Sequence, residues 1–356
     1  STSSGITSSD LTTNDDSINL QFLSNKSTTT FAIGDITVSG GTLSDFDGTG
    51  TTYTAKLTPT GSGNPNITQV TTINIAEGTF TDSIGNSNTA ATEFKWTYDT
   101  TQPGISIASS TVNSGDRTRD TSIALTFTST KSTSNFAVGD ISVSGGALSG
   151  FGGSGTTYTA TLTPTGSGTN VEQLTTINVN AGVFTDSIGN GNTSASQFSW
   201  TYDNLGPTLA TVQAVPTRSN NTTPTYKFSC DEDNCQLTAS DRLISSINSG
   251  GGSSSLPVTI NNGTNTIIFE TLSGTGKRGT EYPTNNNGIT VQDAIGNETT
   301  IQVNTFTIDT TAPVIEQVAE ISTTNNSPTY VFKSDEQGTI SVGHASSSAL
   351  NGFSPT

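Results

Sequence analysis

Apolar and polar residues alternate along much of the chain: Ile18, Leu20 and Phe22; Ile36 and Val38; Tyr53, Ala55 and Leu57; Ile73 and Ile75; Phe94, Trp96 and Tyr98. Successive side chains of a strand point to opposite faces, so a period of two predicts strands with one dry and one wet face. Helical periodicity is nearly absent. Ser-Gly-Gly, Gly-Thr-Gly and Pro-Thr-Gly-Ser-Gly stand between the runs, and such residues supply the dihedral angles of tight turns. Short strands at this spacing predict an all-β chain of two-sheet sandwiches with about seven strands per hundred residues.

The pattern then repeats. Phe31-Ala-Ile-Gly-Asp-Ile-Thr-Val-Ser-Gly-Gly41 returns as Phe136-Ala-Val-Gly-Asp-Ile-Ser-Val-Ser-Gly-Gly146, an offset of 105, and Phe80-Thr-Asp-Ser-Ile-Gly-Asn86 returns as Phe184-Thr-Asp-Ser-Ile-Gly-Asn190, an offset of 104. Three linkers share one design: Trp96-Thr-Tyr-Asp-Thr-Thr-Gln-Pro103, Trp200-Thr-Tyr-Asp-Asn-Leu-Gly-Pro207 and Phe306-Thr-Ile-Asp-Thr-Thr-Ala-Pro313. A period of this length is that of a whole domain. The expected domains are 1–102, its near copy 103–206, a divergent third at 207–312 and the start of a fourth at 313–356. The third keeps Asp293-Ala-Ile-Gly-Asn297, and the fourth echoes it through Asn325-Asn-Ser-Pro-Thr-Tyr-Val-Phe332. Ser245 to Ser255 is rich in Ser and Gly and reads as a flexible loop. An isolated half sandwich exposes its apolar face, so Tyr330, Val331 and Phe332 are expected to be paired or mobile.

Through Val-Ser-Gly-Gly-x-Leu-Ser-x-Phe, Gly-Thr-Thr-Tyr-Thr-Ala-x-Leu-Thr-Pro and Phe-Thr-Asp-x-x-Gly-Asn, residues 11 to 203 resemble the bacterial Ig-like domains arrayed in repetitive surface proteins and large adhesins. The third unit is similar to another Ig-like type from such proteins. The resemblance implies tandem immunoglobulin-like β-sandwiches in a linear array, at a bacterial cell surface or secreted, with neighbouring Ig-like domains of the same chain as partners.

Composition agrees. Hydrophobic residues make up 29% and aromatics 7%, enough for several small cores rather than one large one. A net charge of −17 disfavours nucleic acid and anionic membrane as partners and makes cations the expected small ligands. No run of about 18 apolar residues offers a membrane span. Met is absent and no leader pattern opens the chain, which reads as an internal piece of a longer protein. His344 is the only histidine, leaving a Ser-His-Asp triad or a histidine-bound zinc without material, and no nucleophile elbow or phosphate-binding loop occurs. Duplicating a domain does not assemble the single cleft that a paired-carboxylate glycosidase needs, so no enzyme is expected.

The candidate chemistry lies at the domain ends. Asp82 and Asn86, Asp186 and Asn190, and Asp293 and Asn297 each flank a glycine. One reading is an Asx-type turn whose carboxylate accepts backbone N–H bonds. The other adds the linker acids Asp99, Asp203 and Asp309: if each turn folds back to its own domain's end, two carboxylates and an amide oxygen converge as hard ligands for calcium. Cys230 and Cys235 either close a small bridge or remain thiols, and an oxidising location favours the bridge. Asp45 and Asp47 read as a solvated hairpin tip. Trp96 and Trp200 read as core rings, since a sugar-stacking platform requires exposure. The functional expectation is a non-enzymatic, calcium-stiffened spacer that projects a distal binding domain. The alternatives are a surface-layer or filament subunit assembling through strand edges with identical chains, and an array that itself binds glycans or another cell's surface.

Overall fold

The computed structural model describes residues 10–250, 252–275, 278–319, 324, 326 and 329–339. The chain divides into two compact units, one ending at Leu205 and the other beginning at Gly206.

The first unit holds both near copies. In the first, β1 (Leu11–Thr13), β2 (Ile18–Thr28), β3 (Ile36–Ser39), β4 (Gly41–Pro59), β5 (Thr68–Ile75) and β6 (Phe94–Asp99) form a β1-β6-β5-β3 sheet facing a β2-β4 pair. In the second, β7 (Ile105–Ser109), β8 (Arg117–Thr118), β9 (Ile123–Thr133), β10 (Ile141–Ser144), β11 (Gly146–Pro164), β12 (Glu172–Val179) and β13 (Phe198–Asp203) form a β8-β13-β12-β10 sheet and a β11-β9-β7 sheet. The first-copy counterpart of β7 falls at Ser1–Ser4, outside the described residues. β1 runs parallel to β6, and β8 to β13, whereas the other pairings are antiparallel.

The alternating residues meet between the sheets. Ile18, Leu20, Tyr53, Leu57, Ile73, Trp96 and Tyr98 are buried together, as are their counterparts Ile123, Leu125, Tyr158, Leu162, Ile177, Trp200 and Tyr202. Both tryptophans are 0% exposed, which makes them core rings rather than a sugar platform. Their indole N–H groups donate to Thr13 and Thr118 at 3.2 Å, so the buried polar edge is satisfied. The Ser-Gly-Gly turn explains itself at Gly145: its φ is +76°, and a Cβ there would lie 2.1 Å from the Leu174 carbonyl oxygen. Gly-Thr-Gly does not turn the chain as expected. It lies inside the 19-residue β4, where Gly48 and Gly50 hold φ of +136° and +70° and the register against β2 slips, as bulges do. Asp45 and Asp47 are exposed on the same strand rather than at a hairpin tip.

In the second unit, β14 (Leu209–Gln213), β15 (Arg218–Ser219), β16 (Thr225–Cys230), β17 (Gln236–Ser240), β18 (Ile244–Ile247), β19 (Val258–Thr259), β20 (Gly263–Phe269), β21 (Thr280–Tyr282), β22 (Gly288–Gln292), β23 (Glu298–Gln302) and β24 (Phe306–Ile308) make three sheets: β14-β16-β20-β18, β15-β24-β21 and β19-β17-β22-β23. The core gathers Tyr226, Phe228, Phe269 and Phe306. Ser245 to Ser255 is more ordered than its composition predicts. Ile244 and Ile247 are buried on β18 against β20, and Ser253–Ser255 form a 3-10 turn whose Ser253 hydroxyl accepts the Ile244 N–H at 2.6 Å. Two buried isoleucines suffice to pin a polar segment to a sheet.

β25 (Ile315–Gln317) and β26 (Phe332–Ser334) pair antiparallel, with Ile315 opposite Ser334. β14 and β16 pair the same way earlier in the second unit, with Leu209 opposite Cys230. Phe332 is paired within the chain, while Tyr330 and Val331 stay 48% and 43% exposed. His344, Asn325, Ser327 and Pro328 lie outside the described residues.

Candidate inter-domain joint

Asp-x-x-Gly-Asn folds identically at all three sites. Asp82 Oδ1 accepts the N–H groups of Ile84 (3.1 Å) and Asn86 (2.8 Å), and its Oδ2 accepts the Asn86 amide at 2.8 Å. Asp186 does the same with Ile188 and Asn190, and Asp293 with Ile295, Gly296 and Asn297. Between them Gly85, Gly189 and Gly296 hold φ of +92°, +98° and +99°. Each asparagine turns its NH2, a donor, toward the carboxylate. The linker acids also close Asx turns: Asp99, Asp203 and Asp309 accept the N–H of Thr101, Leu205 and Thr311 at 2.8, 2.9 and 3.1 Å.

Convergence of turn acid and linker acid occurs between consecutive copies, not within one. The linker acid of the first copy, Asp99, meets the turn acid of the second, Asp186, around the ammonium of Lys131 on β9. Lys131 Nζ donates to Asp99 Oδ2 at 3.0 Å, to Asp186 Oδ2 at 3.2 Å and to the Thr101 carbonyl at 2.6 Å. Three acceptors use the three ammonium protons. Asn190 adds a fourth tie by donating its amide to the Asp99 carbonyl at 3.0 Å, while its Oδ1 accepts the Asn14 amide at 3.2 Å. Thr193 N–H donates to the Pro103 carbonyl, and Thr130 exchanges two bonds with Gly104.

The joint is desolvated. The Asp186 side chain is 3% exposed, Asp99 16% and Lys131 27%. Burial opposes ionisation of both acids, but it is outweighed by hydrogen bonds, from Thr101 to Asp99 and from Asn190 to Asp186, and by the ammonium, which hold both carboxyls below the usual range. Burial likewise works against the ammonium, yet the two carboxylates raise Lys131 above its ordinary value.

Three of the other acids pair with a cation of their own domain. Asp82 pairs with Lys26, the first-copy counterpart of Lys131, at 3.2 Å, and there the lysine is 61% exposed. Asp203 accepts from Arg117 at 2.9 Å, and Asp309 pairs with Arg218. The third domain breaks the series. Counting two residues on from the strand pairs Ile105–Ser129 and Leu209–Cys230 puts Glu232 where the second copy has Lys131. Glu232 and Asp293 both act on Cys235: burial first, then the Cys230 thiol and these two charges, push its thiol up. Cys230 and Cys235 stand as buried free thiols within the hydrophobic core rather than as a bridge. Among the described residues no group of three or more His, Cys, Asp or Glu is arranged to hold a metal ion.

Sequence reasoning found the acids and missed the lysine. The signal was present, since Lys26 and Lys131 are separated by the repeat offset in a chain with only 12 Lys and Arg.

The profile of the bacterial Ig-like domain matches residues 2–98 and 99–202, more than half the chain. The chain belongs to the bacterial Ig-like domain family. Its two matched Ig-like domains are the sandwiches that meet at Lys131. No curated protein matches the sequence. Among solved structures, a mutated three-Ig segment of titin is 10% identical over 86% of this chain and 96% of that one, with a TM-score of 0.31. Ig domains of the Dpr2 and DIP-Theta complex are 7% identical over 85% and 97%, with a TM-score of 0.29. Cadherin domains 1–4 of protocadherin gamma B7 are 12% identical over 83% and 73%, with a TM-score of 0.28. No helix among the described residues is long and apolar enough to cross a membrane.

Proposed function

We propose that the chain is an extracellular spacer of a bacterial surface protein, whose Ig-like domains are locked end to end so that the array holds a distal binding domain away from the cell. The observation that carries this reading is the Lys131 joint: a linker acid, a turn acid and a linker carbonyl from consecutive domains share one partly buried ammonium. Loosely strung domains need no such convergence, because ordering a lysine side chain against water costs about 1.5–2 kcal/mol of rotamer freedom. Strands of about eight residues at about 3.3 Å each make domains of roughly 35 to 45 Å with their loops, so a stiff array of this chain exceeds about 100 Å. Small-angle scattering tests it. The expected maximum dimension is over about 100 Å, well beyond a compact globule of equal mass, and Lys131→Met broadens the distance distribution. A compact particle overturns the reading.

Calcium is a second reading, and one observation favours it at the third domain: Glu232 replaces the lysine beside the Asp293 turn. Where Lys131 supplies the positive charge, a cation has to displace a bound ammonium. At Glu232 that position offers a carboxylate instead of an ammonium, and oxygen ligands drawn from several loops give affinities of roughly 10⁻⁴ to 10⁻³ M.

A further inference from the structure

In all three domains the linker acid divides its two oxygens in the same way. Oδ1 closes the Asx turn by accepting the N–H of Thr101, Leu205 or Thr311, and Oδ2 takes a cation. The origin of that cation differs. Asp99 Oδ2 accepts from Lys131 of the following domain at 3.0 Å, whereas Asp203 Oδ2 accepts from Arg117 of its own domain at 2.9 Å and Asp309 Oδ2 pairs with Arg218 of its own domain. One strand position separates the two cases. On the strand that runs parallel to the last one, Arg117 lies opposite Thr201 and Arg218 opposite Thr307, each two residues before the linker acid, and the residue opposite Thr97 is Thr12. Residues i and i+2 of a strand share a face about 6.6 Å apart, a gap that a guanidinium spans and a threonine hydroxyl does not. Arg117 also draws in Glu172, which lies directly opposite Asp203, at 2.5 Å. The first domain has Thr68 at that place, and its hydroxyl donates to Asp99 Oδ1 at 3.2 Å.

We infer that this strand position decides whether a domain's linker acid clamps the next domain or stays within its own. An arginine there holds Oδ2 in the domain, in the planar fork that suits a carboxylate, and a threonine leaves Oδ2 to the lysine that follows. The residues downstream agree. The register of Lys131 carries lysine after the domain with Thr12, and glutamate, as Glu232 and Glu336, after the domains with Arg117 and Arg218. An ionised glutamate offers no donor to a carboxylate, so in this chain the lysine occurs together with the linker acid that no arginine of its own domain holds. Thr12 is in this sense a positioning residue for the Lys131 clamp. The inference rests on the spacer reading and deepens it, by naming the residue that selects which joints share a linker acid.

Thr12 is exposed, and the second and third domains carry arginine at its place, so the fold accepts Thr12→Arg in the full chain. Its effect is read at the Lys131 amine, through the rate of acylation by an N-hydroxysuccinimide acetate followed by mass spectrometry. Lys26, an exposed lysine of the first domain, is the internal reference. Thr12→Arg is expected to speed acylation of Lys131 roughly threefold to tenfold, as for the loss of one charge-assisted bond at a partly exposed site, and to leave Lys26 unchanged. Asp99→Asn is expected to give a similar acceleration, to which Thr12→Arg adds nothing. Thr12→Gln, a long uncharged side chain, is expected to keep the wild-type rate. A wild-type rate in Thr12→Arg overturns the inference, as does an equal acceleration by Thr12→Gln or one that adds to that of Asp99→Asn. These rates read one side chain, so they stand whether scattering finds the array extended or compact.

Discussion

Lys26 and Lys131 occupy the same place in two near-identical folds and differ in what surrounds them. An exposed ion pair contributes little because water competes for both charges. A partly buried one costs desolvation to assemble but leaves an uncompensated charge when one partner is removed, so its loss is felt more. Lys131→Met, which keeps the aliphatic stem, is expected to destabilise the first unit by about 1–3 kcal/mol, and Lys26→Met by clearly less, as read from denaturant midpoints. Ionisation sets the pH range. Asp99 and Asp186 titrate below their ordinary value of 3.8, so their contribution is complete above that pH and is lost as pH falls through the lower folded values. Lys131 titrates above 10.5, so its contribution is complete below that pH and is lost as pH rises through the folded value. Stability of the first unit is therefore flat across neutral pH with respect to the joint and falls on both sides. In Lys131→Met the alkaline fall attributable to this lysine disappears; a wild-type alkaline limb unchanged in the variant would refute its role.

At the scale of elements, turns rather than strands place the functional groups. Asp186 reaches Lys131 because three donors from the Ile188–Asn190 segment hold its carboxylate still, and a glycine at φ +98° lets the backbone curl around it. The Gly145–Gly146 corner does comparable work for the sheets. A methyl group at Gly145 meets a backbone oxygen at 2.1 Å in a positive-φ conformation, whereas one at Gly139 meets nothing within 4 Å. Gly145→Ala is expected to cost more than about 2 kcal/mol, and Gly139→Ala to stay within about 0.5 kcal/mol, in urea unfolding. Equal effects would mean that the corner relaxes freely. The alternation of apolar residues located nearly every strand of the near copies. It failed where glycine had two meanings, since Gly-Thr-Gly marks a turn as readily as a bulge inside a longer strand. It also failed at Ile244 and Ile247, whose burial is decided by β20 rather than by the Ser/Gly-rich residues around them.

At the scale of the whole molecule, one strand register carries different charges: Lys131 two residues past the Ile105–Ser129 pair, Glu232 two residues past Leu209–Cys230, and Glu336 two residues past Ile315–Ser334. Calcium titration followed by calorimetry separates them. On the calcium reading, millimolar calcium raises the transition of the second unit and leaves that of the first in place, and Glu232→Lys abolishes the rise. A second-unit transition indifferent to calcium sinks that reading. The sequence by itself determined the fold class, the repeat, the linker design and the Asx turns, because each is written in residues close together along the chain or in exact repetition of them. It also displayed every acid that the joint uses. Only the tertiary structure decided what those acids meet. A carboxylate in a linker carries no mark of its counter-charge, and Asp99 finds Lys131 across 32 residues and a domain boundary. The two lysines have the same repeat position, and what distinguishes them is burial, with Lys26 61% exposed and Lys131 27%.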